Sequence, residues 1–173
     1  MNKTVKEISR IAATGLWGSV AVVIAIGLFH YISPYRFYQS DYVVRWILIA
    51  GAVLAVLAIS AALLVIRKQI PSIRQSEASL DSKLQMYKSH IKSLYLSMFG
   101  VVAIIGILIV LSEQTVMLML AMVCTLTLFL AYPNMYRMKV ELGLNDDEMR
   151  NLYGDNWQPE TGNRKLDQQD EQK

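Results

Sequence analysis

The stretch from Ser76 to Ser112 reads SEASLDSKLQMYKSHIKSLYLSMFGVVAIIGILIVLS. Its first half is amphipathic. Leu80, Leu84, Tyr87, Ile91, Leu94 and Met98 recur at spacings of four and three, which puts them on one stripe of a helix. Asp81, Ser82, Lys83, Gln85, Lys88, Ser89, His90 and Lys92 occupy the other faces. From Leu94 to Leu111 the chain turns almost wholly apolar. Neither Gly nor Pro separates Lys92 from Leu94, so the pattern predicts one helix that begins in water and continues into a bilayer. The alternative is a helix lying in the membrane surface, with Lys83, Lys88 and Lys92 reaching phosphates. An apolar stripe needs a cover. Leu80, Leu84, Tyr87 and Ile91 are therefore the expected contact residues, against the tail of the same chain, a lipid surface or a second subunit.

Composition places the rest. Of 173 residues 54% are hydrophobic and only 18% charged, against about 25% charged in ordinary soluble domains. The deficit falls in four apolar stretches, so the expected fold is all-α and polytopic, with spans at about 11–32, 43–66, 93–112 and 116–132. Two antiparallel hairpins are expected, with the long third helix extending into the cytoplasm. Around that bundle, 1–10 is read as a cytoplasmic N-terminus, 76–92 as a cytoplasmic helix, 133–157 as a helical tail and 158–173 as disordered.

The first apolar run, Ile11 to Ile32, would measure roughly 33 Å as a helix, enough to cross a hydrocarbon core. It follows Lys3, Lys6 and Arg10, but it is too long for a cleaved signal and ends without a small-residue cleavage site. Gly15/Ser19 and Ala21/Ala25 are small pairs suited to close helix approach. Pro34 ends this helix. Tyr31, Tyr35, Phe37, Tyr38, Tyr42 and Trp46 then read as an aromatic belt at the bilayer surface.

The second run is rich in small residues on several faces, which suits a helix that sits centrally and touches more than one neighbour. Arg45 in its first turn is read as snorkelling to the interface. Arg67 and Lys68 are expected to end this span, with Ile70 to Arg74 as a turn at Pro71 and Ser76 as the next N-cap. Glu113-Gln-Thr115 is a short turn between the third and fourth spans. Beyond Pro133, Met135 to Leu142 reads as a short helix closed by Gly143. Asn145 and Glu148 have capping-box spacing for a second one ending at Tyr153 and Gly154. Leu144, Met149 and Leu152 give the tail an apolar face that must dock.

Charge sets the orientation. Lys3, Lys6 and Arg10, then Arg67, Lys68, Arg74, Lys83, Lys88 and Lys92, then the tail bases would share one side, leaving Arg36 and Arg45 on the other. Positive-inside therefore predicts a multi-pass protein with both termini in the cytoplasm, and the expected location is a prokaryotic cytoplasmic membrane. The net charge of +3 is no argument for nucleic acid, because the bases flank the spans.

Catalytic chemistry finds little support. No acid lies within a span, where ion-driven transporters usually hold one. His30 and His90 fall on opposite sides of the predicted membrane, which does not suit a shared haem. Asp146, Asp147 and Glu148 crowd one helical turn, where the helix dipole explains them. Cys124 has no partner for a disulfide or metal site. A membrane enzyme would need His30, Arg36, Asp41 and Arg45 to converge. The expectation is a non-enzymatic interaction, assembly or regulatory subunit, with no cofactor, no metal and no catalytic residue. Its partners would be the lipid bilayer and a second copy or another membrane protein. The alternative is a small oligomeric transporter or channel.

Overall fold

The computed structural model describes residues 2–32, 40–112 and 114–157. The expected aromatic loop at 33–39, the acid at position 113 and the polar tail at 158–173 lie outside the described residues. Among the described residues the chain is helical throughout, with no strand. The helices are α1 (Lys3–Ile32), α2 (Asp41–Leu64), α3 (Ile70–Gln75), α4 (Leu80–Ser112), α5 (Thr115–Leu130), α6 (Met135–Leu142) and α7 (Asp146–Tyr153).

The stretch 80–112 is one unbroken helix of 33 residues. Leu84, Tyr87, Ile91, Leu94 and Met98 are all at most 3% exposed, and the same face continues through Val102, Ile105 and Ile109. Leu80, the first residue of α4, is half-buried. This face makes α4 the centre of the bundle. It packs on α1, α2 and α5, while α1 and α2 barely touch each other. Helix α2 touches two neighbours, α4 and α5, as its small residues suggest, but α4 and not α2 holds the centre. It fully buries only Gly51, Ala55 and Ala62, and packs on the core with Ile47, Leu48, Leu54 and Ile59 half-buried.

Helices α1 and α4 run side by side in the same direction. The Cβ positions of Gly15 and Gly18 lie beside Tyr95 and Phe99, and that of Gly106 lies beside Ile26. Glycine at these points lets α1 approach closely: a Cβ on Gly15 would meet the Tyr95 ring at 2.8 Å. Helix α5 returns along α4, and Tyr95 donates its hydroxyl hydrogen to the Leu128 carbonyl at 2.9 Å.

Arg67 and Lys68 do not end the second helix. A widened turn, Val65–Gln69, carries it into α3, and the Ile70 N–H bonds the Val65 carbonyl five residues back. The proline explains the widening. Pro71 has no N–H to give and its ring would strike the carbonyl four residues earlier in a regular helix. A π-type turn just before it relieves both conflicts without breaking the rod. The expected turn is therefore a helix, and it buries Ile70 and Ile73. Ser76 is not an N-cap. It ends α3, donating its hydroxyl hydrogen to the Ile73 carbonyl at 2.7 Å.

In the tail, Gly143 takes φ 65° and closes α6. Asn145 and Glu148 form a reciprocal capping box at the start of α7. Three helices are long and apolar enough to cross a membrane by length and composition, or four if α5 and α6, bent by 74°, count as one span. Alone, α5 has 16 residues, about 24 Å at 1.5 Å per residue.

Candidate functional site

One end of the bundle gathers the polar chemistry. The first turns of α1, the start of α4, α3 and the two tail helices meet there. Leu84, Tyr87 and Ile91 of the α4 stripe share a buried cluster with Val5 and Ile8 of α1, Ile70 and Ile73 of α3, and Met138 and Leu142 of α6. The chain's own elements therefore lie over these three residues. Leu144, Met149 and Leu152, the apolar face of the tail, are buried in the same cluster.

Side-chain bonds hold this end in register. The Tyr87 hydroxyl donates to Glu141 Oε2 at 2.6 Å. The other carboxylate oxygen of Glu141 accepts from Arg137 Nε at 2.5 Å. Arg137 also reaches back to the Leu130 carbonyl in the last turn of α5, where a cation suits the dipole and unpaired carbonyls. Asn134 caps α6 by accepting the Arg137 N–H at 2.7 Å. Burial pushes the Tyr87 hydroxyl well above its ordinary value, and the Glu141 charge and hydrogen bond push it the same way. It stays a neutral donor, the form the carboxylate needs.

A second set ties the N-terminus down. Glu7 of α1 and Lys88 of α4 pair at 2.5 Å. That contact, through its hydrogen bond first and its charge second, holds the Glu7 carboxyl below its ordinary value. The Asn2 N–H donates to the Leu152 carbonyl at 2.7 Å. Lys139 pairs with Asp146 at 2.6 Å and sits 5.2 Å from the Trp157 ring centre.

In the apolar part, the buried hydroxyls turn inward to their own helices. Ser19 donates to the Gly15 carbonyl and Ser112 to the Leu108 carbonyl. Thr125 does the same to Ala121. Cys124 is buried as a small apolar group. Among the described residues no three His, Cys, Asp or Glu side chains come together as metal donors. His30 and His90 are half-exposed; Asp41 and Arg45 are exposed. Arg36, the fourth member of the enzyme constellation, lies outside the described residues.

Between α1 and α4 runs an open groove of about 470 Å³. Gly15 and Gly18 form one wall, Tyr95, Leu96 and Phe99 the other, and Arg10 and Lys92 stand at its polar end. A shallower groove of about 340 Å³ between α1 and α5 is lined by Trp17, Phe129 and other apolar side chains, with Thr125.

Sequence reading found the stripe but not its fastenings. Lys88 and Arg137 enter there only as bases flanking the spans, and Glu7 and Glu141 have no role in it. The four-residue spacing of Arg137 and Glu141 was the one local signal available. No protein-family model matches the chain, no curated protein matches it, and no solved structure matches it.

Proposed function

We propose that this chain is a four-span integral membrane protein with both termini in the cytoplasm, serving as a non-enzymatic interaction, assembly or regulatory subunit. Lipid immersion is supported by the uncovered apolar side chains: Trp17, Ile107, Met119 and Phe129 are each 60% exposed or more. Soluble monomers rarely leave contiguous apolar patches above a few hundred Å². On this reading α5 crosses with Ala131 and Tyr132 added, and Pro133 turns the chain out along the surface. The Tyr42–Trp46 edge-on pair, with ring centres 6.1 Å apart, anchors the opposite interface.

The observation that carries the assembly reading is the outer stripe of α2. Ala50, Val53, Leu57, Ala61 and Leu64 recur on one face, and all are exposed. The small residues Ala50 and Ala61 in that stripe suit helix contact better than lipid contact. A second copy or another membrane protein is the expected occupant. Native mass spectrometry in mild detergent, with disulfide crosslinking of Ala61→Cys, tests this. A strictly monomeric protein with no crosslink and no co-purifying partner would overturn it. Ion flux through liposomes holding the pure protein would instead make it a channel or transporter.

A further inference from the structure

The groove between α1 and α4 has a chemistry that helix packing does not explain. We propose that it binds one anionic phospholipid, the headgroup phosphate held by Arg10 and Lys92 and an acyl chain lying over the outer side of the seam, along Thr14, Leu96 and Phe99. The inference rests on the membrane reading above but not on the assembly reading.

Depth is the first argument. Arg10 immediately precedes the apolar run of α1, and Lys92 stands two residues before that of α4. Because the two helices run parallel in near-constant register, these cations come to the same level at the mouth of one groove. That level is where a bilayer places phosphates.

Charge is the second. Lys88, one turn before Lys92, is paired with Glu7. Among the described residues, Arg10 and Lys92 make no ion pair, and no acid lines the groove. Two cations at the end of an apolar trough complement a ligand with a negative head and a hydrocarbon body. Arg supplies a planar fork and Lys a point charge, a pair suited to a phosphodiester.

Shape is the third. The Tyr95 and Phe99 rings fill the space beside Gly15 and Gly18 and so form the floor, and the trough lies over it between the exposed Thr14 and Leu96. A Cβ on Gly18 would lie 3.1 Å from the Phe99 ring, so even a methyl group would crowd the floor. Its volume of about 470 Å³ falls in the range of small-molecule sites. The α1/α5 groove has no cation and so no means of choosing a headgroup.

The test reconstitutes the full chain in nanodiscs of mixed phosphatidylglycerol and phosphatidylcholine and counts lipids retained on release into the mass spectrometer. The wild type should retain phosphatidylglycerol over phosphatidylcholine by about tenfold. Arg10→Gln with Lys92→Gln should abolish that preference. Arg67→Gln with Lys68→Gln, which removes the same charge types elsewhere, should leave it intact. Thr14→Trp, which fills the groove and keeps both cations, should lower retention of phosphatidylglycerol to the level of the charge double variant. No preference in the wild type, equal loss in the Arg67/Lys68 control, or full retention in Thr14→Trp overturns the site. Equal binding of soluble glycerol phosphate also overturns it, because the acyl chain would then contribute nothing. A chain that inserts but shows no preference refutes the lipid site alone; one that fails to partition into bilayers refutes the membrane reading as well.

Discussion

Glu7 and Lys88 stand 81 positions apart in the chain and 2.5 Å apart in space. The same offset, 80 or 81, separates Gly15 from Tyr95, Gly18 from Phe99 and Ile26 from Gly106. One register therefore governs the α1–α4 seam from its polar mouth to its apolar end. The pair should obey charge logic. Glu7→Lys or Lys88→Glu alone should lower the unfolding temperature in detergent, and the two together should restore it. Because the folded carboxyl titrates below its ordinary 4.5, its contribution is complete above that pH and disappears as pH falls through the folded value. A double swap no better than either single variant would remove the pair from the account.

Two glycines of the same protein should respond oppositely to a methyl group. Gly15→Ala drives a Cβ to 2.8 Å from Tyr95, and overpacking of this kind costs about 1–3 kcal/mol. Gly100 has nothing within 4 Å of its Cβ position. Gly100→Ala should leave stability unchanged or raise it by up to about 1 kcal/mol, since alanine favours helix. Thermal unfolding of both variants in one detergent measures the contrast.

Tyr87→Phe keeps the ring and deletes the hydrogen given to Glu141. A hydrogen bond to a charged group contributes about 1.5–3 kcal/mol, and that is the expected loss. The alkaline limb follows from the same group. Burial raises the hydroxyls of Tyr87 and Tyr153 above their ordinary 10, Tyr153 to about 12. Their stabilising effect is whole below pH 10 and fades as pH climbs through the folded values. Tyrosinate absorbance followed alongside tail protection from protease should show the two changing together.

Leu84→Ala should cost about 2–5 kcal/mol, as buried Leu truncations do, because Leu84 is 1% exposed. Met86→Ala on the outer face should stay within about 0.5 kcal/mol. Equal effects would mean that the stripe does not organise this end of the molecule.

Much of this architecture was legible along the chain. The α4 stripe has helical period, and Gly143, Asn145 and Glu148 announce the tail helices by local chemistry. Two kinds of feature were not. Pro71 argued for a break, and only the compensating turn at Val65–Gln69 shows how a helix survives it. Pairings such as Glu7 with Lys88 or Tyr87 with Glu141 join residues 81 and 54 positions apart, and no window of sequence contains both partners. The groove escaped for the same reason: Arg10 and Lys92 become neighbours only through the register of two parallel helices.

That register also sets an order of events at the ribosome. Helix α1 barely meets α2, so it has no packing partner until α4 emerges, 80 residues later. At about 5–20 residues per second that is a wait of roughly 4–16 s. Ser19 is equipped for it. Its hydroxyl bonds, at 2.9 Å, to the carbonyl of Gly15 in its own helix, so this buried group is satisfied before its packing partner is synthesised.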